Sequence, residues 1–243
     1  MAESRTVPTR HIVAIGGSSF NAHPNDPVVE RYMLRLTRKR RPSVCFIPTA
    51  SAEPAEYMAT FHDAFTRIGA TPTVLRFFTR TPDLRATLLN QDIIYVGGGN
   101  TKSMLAVWRE WGLPAVLREA WRKGIVLGGV SAGAICWFDQ GVTDSWADVL
   151  APLDCLGFLP NTCCPHYDSE ADRRPSVHDF VARGLVSPVT ALHDGAAAHF
   201  VGRSLHRILT WTPTAKAFDV RKRRGVVVET ELRATHLKRG TSH

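Results

Sequence analysis

No stretch of this 243-residue chain approaches the roughly 20 consecutive apolar residues that a membrane-spanning helix needs. The start, Met1-Ala2-Glu3-Ser4-Arg5, lacks the apolar centre of a secretory signal, so the expected location is cytoplasmic and no membrane partner is expected. Cysteine is scarce. Five residues, Cys45, Cys136, Cys155, Cys163 and Cys164, form an odd set with two adjacent, which argues against a secreted disulfide scaffold and for reduced thiols. Internal repeats and low-complexity segments are absent. With 44% apolar and 21% charged residues the chain is too apolar for extended disorder, and its length suits one α/β domain over 1–243.

Acidic residues are outnumbered, leaving a net charge of +8. The basic side chains bunch at Arg38-Lys39-Arg40-Arg41 and Arg221-Lys222-Arg223-Arg224. Such runs can bind phosphates. Neither run has interleaved aromatics, and each sits at an element boundary where solvated charge is common, so nucleic acid is not an expected partner. A positive field would instead draw acidic small molecules.

Short apolar runs alternate with helical patterns. Strands are predicted at His11–Ile15, Ser43–Pro48, Thr73–Phe77, Asp92–Val96 and Ile125–Gly129. Helices are predicted at Val28–Thr37, Glu53–Ile68, Leu84–Leu89, Lys102–Trp111, Leu113–Arg122 and from Ala132 onward through Phe138. Unbroken apolar strands separated by helices argue for a mostly parallel sheet flanked by helices on both faces. Right-handed crossovers then gather the loops that follow the strands along one edge. Beyond Asp139 the pattern weakens, with late strands expected only around His199–Val201 and Val226–Glu229.

The sharpest motif is Gly129-Val130-Ser131-Ala132-Gly133, a G-x-S-x-G directly after an apolar strand and before a helix. Small neighbours let strand and helix approach closely while a strained bend lifts the serine hydroxyl clear, which suits a nucleophile. Gly-rich turns also produce this pattern by chance; its place at a strand end is what favours catalysis. A second loop, Gly97-Gly98-Gly99-Asn100-Thr101, ends another strand at the same edge. It lacks the lysine of a P-loop and the spacing of a dinucleotide site. An oxyanion hole fits better, formed by the Gly98 or Gly99 amide with that of Ala132, and Asn100 is a candidate substrate contact.

A serine needs a base, and His166 in Cys164-Pro165-His166-Tyr167-Asp168 is the preferred candidate, with His193 as its rival. Asp194 is the natural carboxylate to orient His166, while Asp144, Asp148, Asp168 and Glu170 remain open for that role. Adjacent Cys163 and Cys164 cannot both easily reach one ion, so no metal is expected, and the chemistry calls for no cofactor. Cys136 reads as core packing.

Together with Gly16-Gly17-Ser18-Ser19-Phe20, Pro48-Thr49-Ala50-Ser51, Tyr95-Val96 and Cys163-Cys164-Pro165-His166-Tyr167, these motifs resemble the peptidase E (aspartyl dipeptidase) family of serine peptidases, which includes cyanophycinase. The resemblance covers most of the chain and implies a layered fold like that of class I glutamine amidotransferases, with serine replacing cysteine. It implies a triad of Ser131, His166 and an acid that falls on Asp194, hydrolysing small peptides with a preference for an N-terminal aspartate. It is compatible with a homodimer. Aspartate calls for a cation, and Arg173 or Arg174 is the candidate, unless both merely pair with the acids around them. Hydrolysis of a β-aspartyl or amino-acid conjugate, and a silent small-molecule-binding member of the fold, are the alternatives.

Overall fold

The computed structural model describes residues 8–238. Alternation within its strands sets the layers. In β1 (His11–Ile15), β2 (Ser43–Ile47) and β4 (Ile93–Val96), side chains Ile12, Ala14, Cys45, Ile47, Ile94 and Val96 face one side, and Val13, Ile15, Val44, Phe46, Ile93 and Tyr95 the other. All are fully buried. The second face is covered by α1 (Val28–Leu36) and α2 (Ala55–Arg67), through Val29, Met33, Phe61 and Phe65. The first is covered by α4 (Thr101–Glu110) and α5 (Leu113–Arg122), through Met104, Leu105, Trp108 and Leu117, with Leu88 of α3 (Leu84–Leu88) beside them. Burial on both faces accounts for the unbroken apolar runs, each such side chain contributing roughly 1.5–3 kcal/mol.

With β3 (Thr71–Val74) and β5 (Val126–Val130), these strands form a parallel block in the order β3-β2-β4-β5-β1. The sheet continues past β1 into β10 (Ala196–Val201) and β11 (Ser204–Thr210), each antiparallel to its neighbour, and ends at β14 (Ala234–His236). The expected α/β architecture, a mostly parallel sheet between helical layers, is therefore the one observed.

A second sheet, not foreseen, carries six strands in the order β13-β12-β9-β8-β6-β7. They are β6 (Phe138–Thr143), β7 (Ala151–Asp154), β8 (Leu159–Cys164), β9 (Val189–Leu192), β12 (Ala217–Arg223) and β13 (Val226–Glu231). Val177 and Val181 of α7 (Arg173–Arg183) pack on Val142, Val189, Phe218 and Val220 of this sheet. The helix predicted to run from Ala132 through Phe138 stops at Ile135 as α6 (Ala132–Ile135). The Trp137 and Phe138 carbonyls accept the amides of Leu159 and Gly157 instead, which turns the chain into β6. The third strand likewise lies at Thr71–Val74 rather than Thr73–Phe77.

Candidate active site

Ser131 follows β5 at φ 57° and ψ −112°, the sharp bend read from the sequence. A side-chain-bearing residue there costs on the order of 1–3 kcal/mol, and the surrounding bonds hold it. Its amide donates to the Ile15 carbonyl at the end of β1 (3.0 Å), and its own carbonyl accepts the amides of Ala134 and Ile135 (2.8 and 2.9 Å). A β-carbon at Gly129 or Gly133 would run into the Val96 carbonyl, so both glycines are needed where β4, β5 and α6 meet.

His166 and Asp194 come from the second sheet. β8 and β9 are parallel, with Cys164 opposite Ala191, so the chain segments beyond them leave side by side. The Tyr167 amide donates to the Leu192 carbonyl (3.1 Å), and His166 Nδ1 lies 2.7 Å from Asp194 Oδ1. Burial would raise the Asp194 carboxyl, but the hydrogen bond and charge of His166, with help from Ser169 and Arg173, hold it below its ordinary range. Asp168 accepts the Asp194 amide (2.9 Å) and so braces the backbone that carries Asp194. Gly17, after β1, closes the arrangement: a β-carbon there would strike the Asp194 carboxylate and come within 2.9 Å of the His166 ring.

Ser131, His166, Asp194, Gly98 and Gly99 line one cavity of about 490 Å³, within the range of small-ligand sites. A β-carbon on Gly98 would lie 3.3 Å from Ser131 Cβ, which sets that loop directly against the serine. Ala132 is buried as the first residue of α6. His193, the rival base, is not in the lining; it is buried against Phe218 and Tyr167, with Nδ1 3.5 Å from Asp168, and burial lowers its pKa.

Three candidate substrate contacts do other work. Asn100 caps α4, its side-chain oxygen accepting the Ser103 amide (2.8 Å) and its Nδ2 donating to the Ser145 carbonyl (2.5 Å). Arg173 is buried and donates to Glu170 (2.6 Å) and the Val142 carbonyl (3.0 Å), with Asp144 at 4.0 Å. Arg174 pairs with Glu229 (2.8 Å) and lies over the Tyr167 and Phe218 rings. Arg173 thus pairs with one of the acids of its own segment, Glu170, whereas Arg174 pairs with Glu229 of β13, outside that segment. Asp144, Asp148 and Glu170 line a different cavity.

The lining also holds residues to which the sequence assigned no role in the site: Gly17, Ser18, Asn21, Ala22, Pro54, Tyr57 and Val130. Only Gly17 and Ser18 carried a signal, in the glycine-serine turn after the first strand. Among the described residues, no group of three or more His, Cys, Asp or Glu side chains is arranged to hold a metal ion, and no helix is long and apolar enough to cross a membrane.

A family model described as peptidase family S51 matches residues 12–208. The chain belongs to peptidase family S51. This S51 chain is 41% identical over 229 residues to the uncharacterized peptidase YgaJ of Bacillus subtilis (strain 168), covering 94% of this chain and 99% of that one. It is 31% identical over 188 residues to the probable alpha-aspartyl dipeptidase of Drosophila melanogaster, covering 72% and 75% of the two chains. Its fold is shared with a solved peptidase from an acI-B1 Actinobacterium, at a TM-score of 0.69 and 15% identity over 94% of this chain and 96% of that one. Membership and relatives together make this S51 chain a serine-type peptidase.

Proposed function

We propose that the chain hydrolyses small peptides through a triad of Ser131, His166 and Asp194. One observation carries the reading: a serine held at positive φ after β5 shares a cavity with a histidine whose Nδ1 is hydrogen-bonded to a carboxylate. That bond fixes the ring and leaves Nε2 to take the Ser131 proton. Ser131 Oγ then attacks the scissile carbonyl, the anion forms beside the Gly98 loop, and His166 returns the proton to the departing amine. Water releases the acyl group by the reverse sequence. The cavity volume suits a dipeptide better than a folded chain.

Preference for an N-terminal aspartate is the finer part of this reading, and its support is the Drosophila relative named for that activity. It must operate without Arg173 or Arg174 in the lining, which among the described residues contains no lysine or arginine. That lining favours a second reading, hydrolysis of peptides or conjugates with an uncharged first residue. The test is hydrolysis of Asp-X, β-Asp-X, X-Asp and neutral dipeptides by wild type and Ser131→Ala. The triad predicts turnover that Ser131→Ala abolishes, and Asp-X over neutral rates decide between the two substrate readings. No serine-dependent turnover on any member refutes both.

A further inference from the structure

The cavity contains one phenol. Tyr57 sits in the first turn of α2, lines the cavity, and its hydroxyl oxygen accepts the Gly98 amide at 3.5 Å. Gly98 is also the residue on which an added β-carbon would lie 3.3 Å from Ser131 Cβ and 3.9 Å from its Oγ. The ring has little freedom. It stacks on Phe20 (centroids 5.5 Å apart, planes at 16°) and meets Phe46 edge-on (5.0 Å, 84°). The backbone that delivers it is also held, since Ala52 and Glu53 both take positive φ and the buried Glu53 carboxylate accepts the Phe77 and Phe78 amides.

We propose that the Tyr57 hydroxyl is a catalytic hydrogen-bond donor to the oxyanion that forms when Ser131 attacks, acting beside the Gly98 amide. The proposal rests on the peptidase reading of this cavity. A contact of 3.5 Å is at the outer limit of a hydrogen bond, so the two groups gain little from each other. An oxygen placed about 2.9 Å from the amide nitrogen and about 2.8 Å from the phenol oxygen completes a triangle on that base and accepts from both. In the step itself the Ser131 Oγ–carbon bond forms, the carbonyl π pair moves to oxygen, and the serine proton goes to His166. Tyr57 keeps its proton throughout and only donates. Burial pushes its pKa up to about 12, so it remains a donor across the working pH range.

The sequence gives no sign of this role, because an aromatic residue on a helix reads as core. Phe20 and Phe46 do treat the ring as core, yet the residue also lines the cavity and its hydroxyl meets the Gly98 amide.

Tyr57→Phe tests it, since the ring contacts survive and one oxygen is lost. On the best substrate of the dipeptide panel, kcat should fall by about 100-fold, the usual loss for one oxyanion donor, with KM within about twofold. Affinity for a peptide boronic acid, which forms a tetrahedral adduct on serine, should fall in parallel, while affinity for the cleaved product should not. A thermal melt within a few degrees of wild type excludes a packing effect. Unchanged kcat, or a raised KM with unchanged kcat, overturns the role of Tyr57 while wild-type turnover lost in Ser131→Ala leaves the peptidase reading standing. Absence of serine-dependent turnover in the wild type overturns both.

Discussion

Glu30 is fully buried in the first turn of α1 and stands outside the proposed chemistry, yet it should govern how stability depends on pH. Its Oε1 accepts the Phe20 amide (2.9 Å) and the Tyr95 hydroxyl (3.2 Å), while Oε2 has no hydrogen-bond partner among the side chains and backbone of the described residues. Burial raises its pKa from an ordinary 4.5 to about 7, against the opposing pull of those bonds and of Arg31. Between these two values the unfolded chain is ionised at Glu30 while the folded chain holds the proton. The folded state binds the extra proton, so stability falls as pH rises from 4.5 to about 7 and is flat beyond. The shift corresponds to about 3 kcal/mol, or roughly 6–12 °C in Tm for a domain of this size. Glu30→Gln keeps an oxygen for Phe20 and Tyr95 but cannot ionise. Urea unfolding of both proteins at pH 5 and pH 8 should show the variant gaining on wild type by about 2–3 kcal/mol across that interval. Every other titrating group is common to the pair and cancels in the difference. A gap between the two proteins that does not change with pH would refute the reasoning.

Asp194→Asn should reduce kcat by on the order of 10³–10⁴-fold at neutral pH with little change in Tm, because the amide can neither fix the His166 tautomer nor balance its charge; more than a tenth of wild-type activity would remove Asp194 from the triad. Since the Asp194 carboxyl titrates below 3.8, its hydrogen bond to His166 contributes stability above the unfolded carboxylate range that is lost only as pH falls through that lower value. Arg173→Leu should destabilise the protein by about 1–3 kcal/mol, by stranding the Val142 carbonyl and releasing Glu170, and should leave the ratio of Asp-X to neutral dipeptide turnover within about twofold. Collapse of that ratio at unchanged stability would return Arg173 to the substrate.

The parts of the site that were legible are those whose signal is local. Ser131 could be read because the close approach of Val96 to both flanking glycines demands small residues at fixed spacing on either side of the serine. The Gly98 loop could be read for the same reason, as glycine at a strand end. Arg173 and Arg174 were harder to read, because a guanidinium beside a run of acids looks alike whether it serves a substrate or a strut. Arg173 donates to Glu170 and to the Val142 carbonyl, and that carbonyl belongs to a strand the sequence did not show. Tyr57 was invisible because its role depends on which loop its hydroxyl meets, not on its neighbours in the chain.

The same distinction separates the two sheets. Strands β1, β2, β4 and β5 are buried on both faces, so they are apolar at every position after the leading His11 and Ser43 and stand out. In β6 and β8 the buried positions are mixed with Asp139, Gln140, Pro160 and Asn161, because parts of these strands reach solvent and because Asp139 itself accepts the Asn161 amide. α7 is Arg-rich, with Pro175 in its first turn, and buries only Arg173, Val177 and Val181, too thin a stripe to read as a helix. The proposed catalytic serine therefore rides on the legible sheet, and its proposed partners on the illegible one. His166 and Asp194 meet Ser131 only because β10 carries the chain back from Asp194 onto β1, where the Gly16 amide donates to Ala196 and Gly17 leaves room for the pair. The glycine pair after the first strand is the seam at which the two sheets bring the proposed nucleophile and base into one cavity.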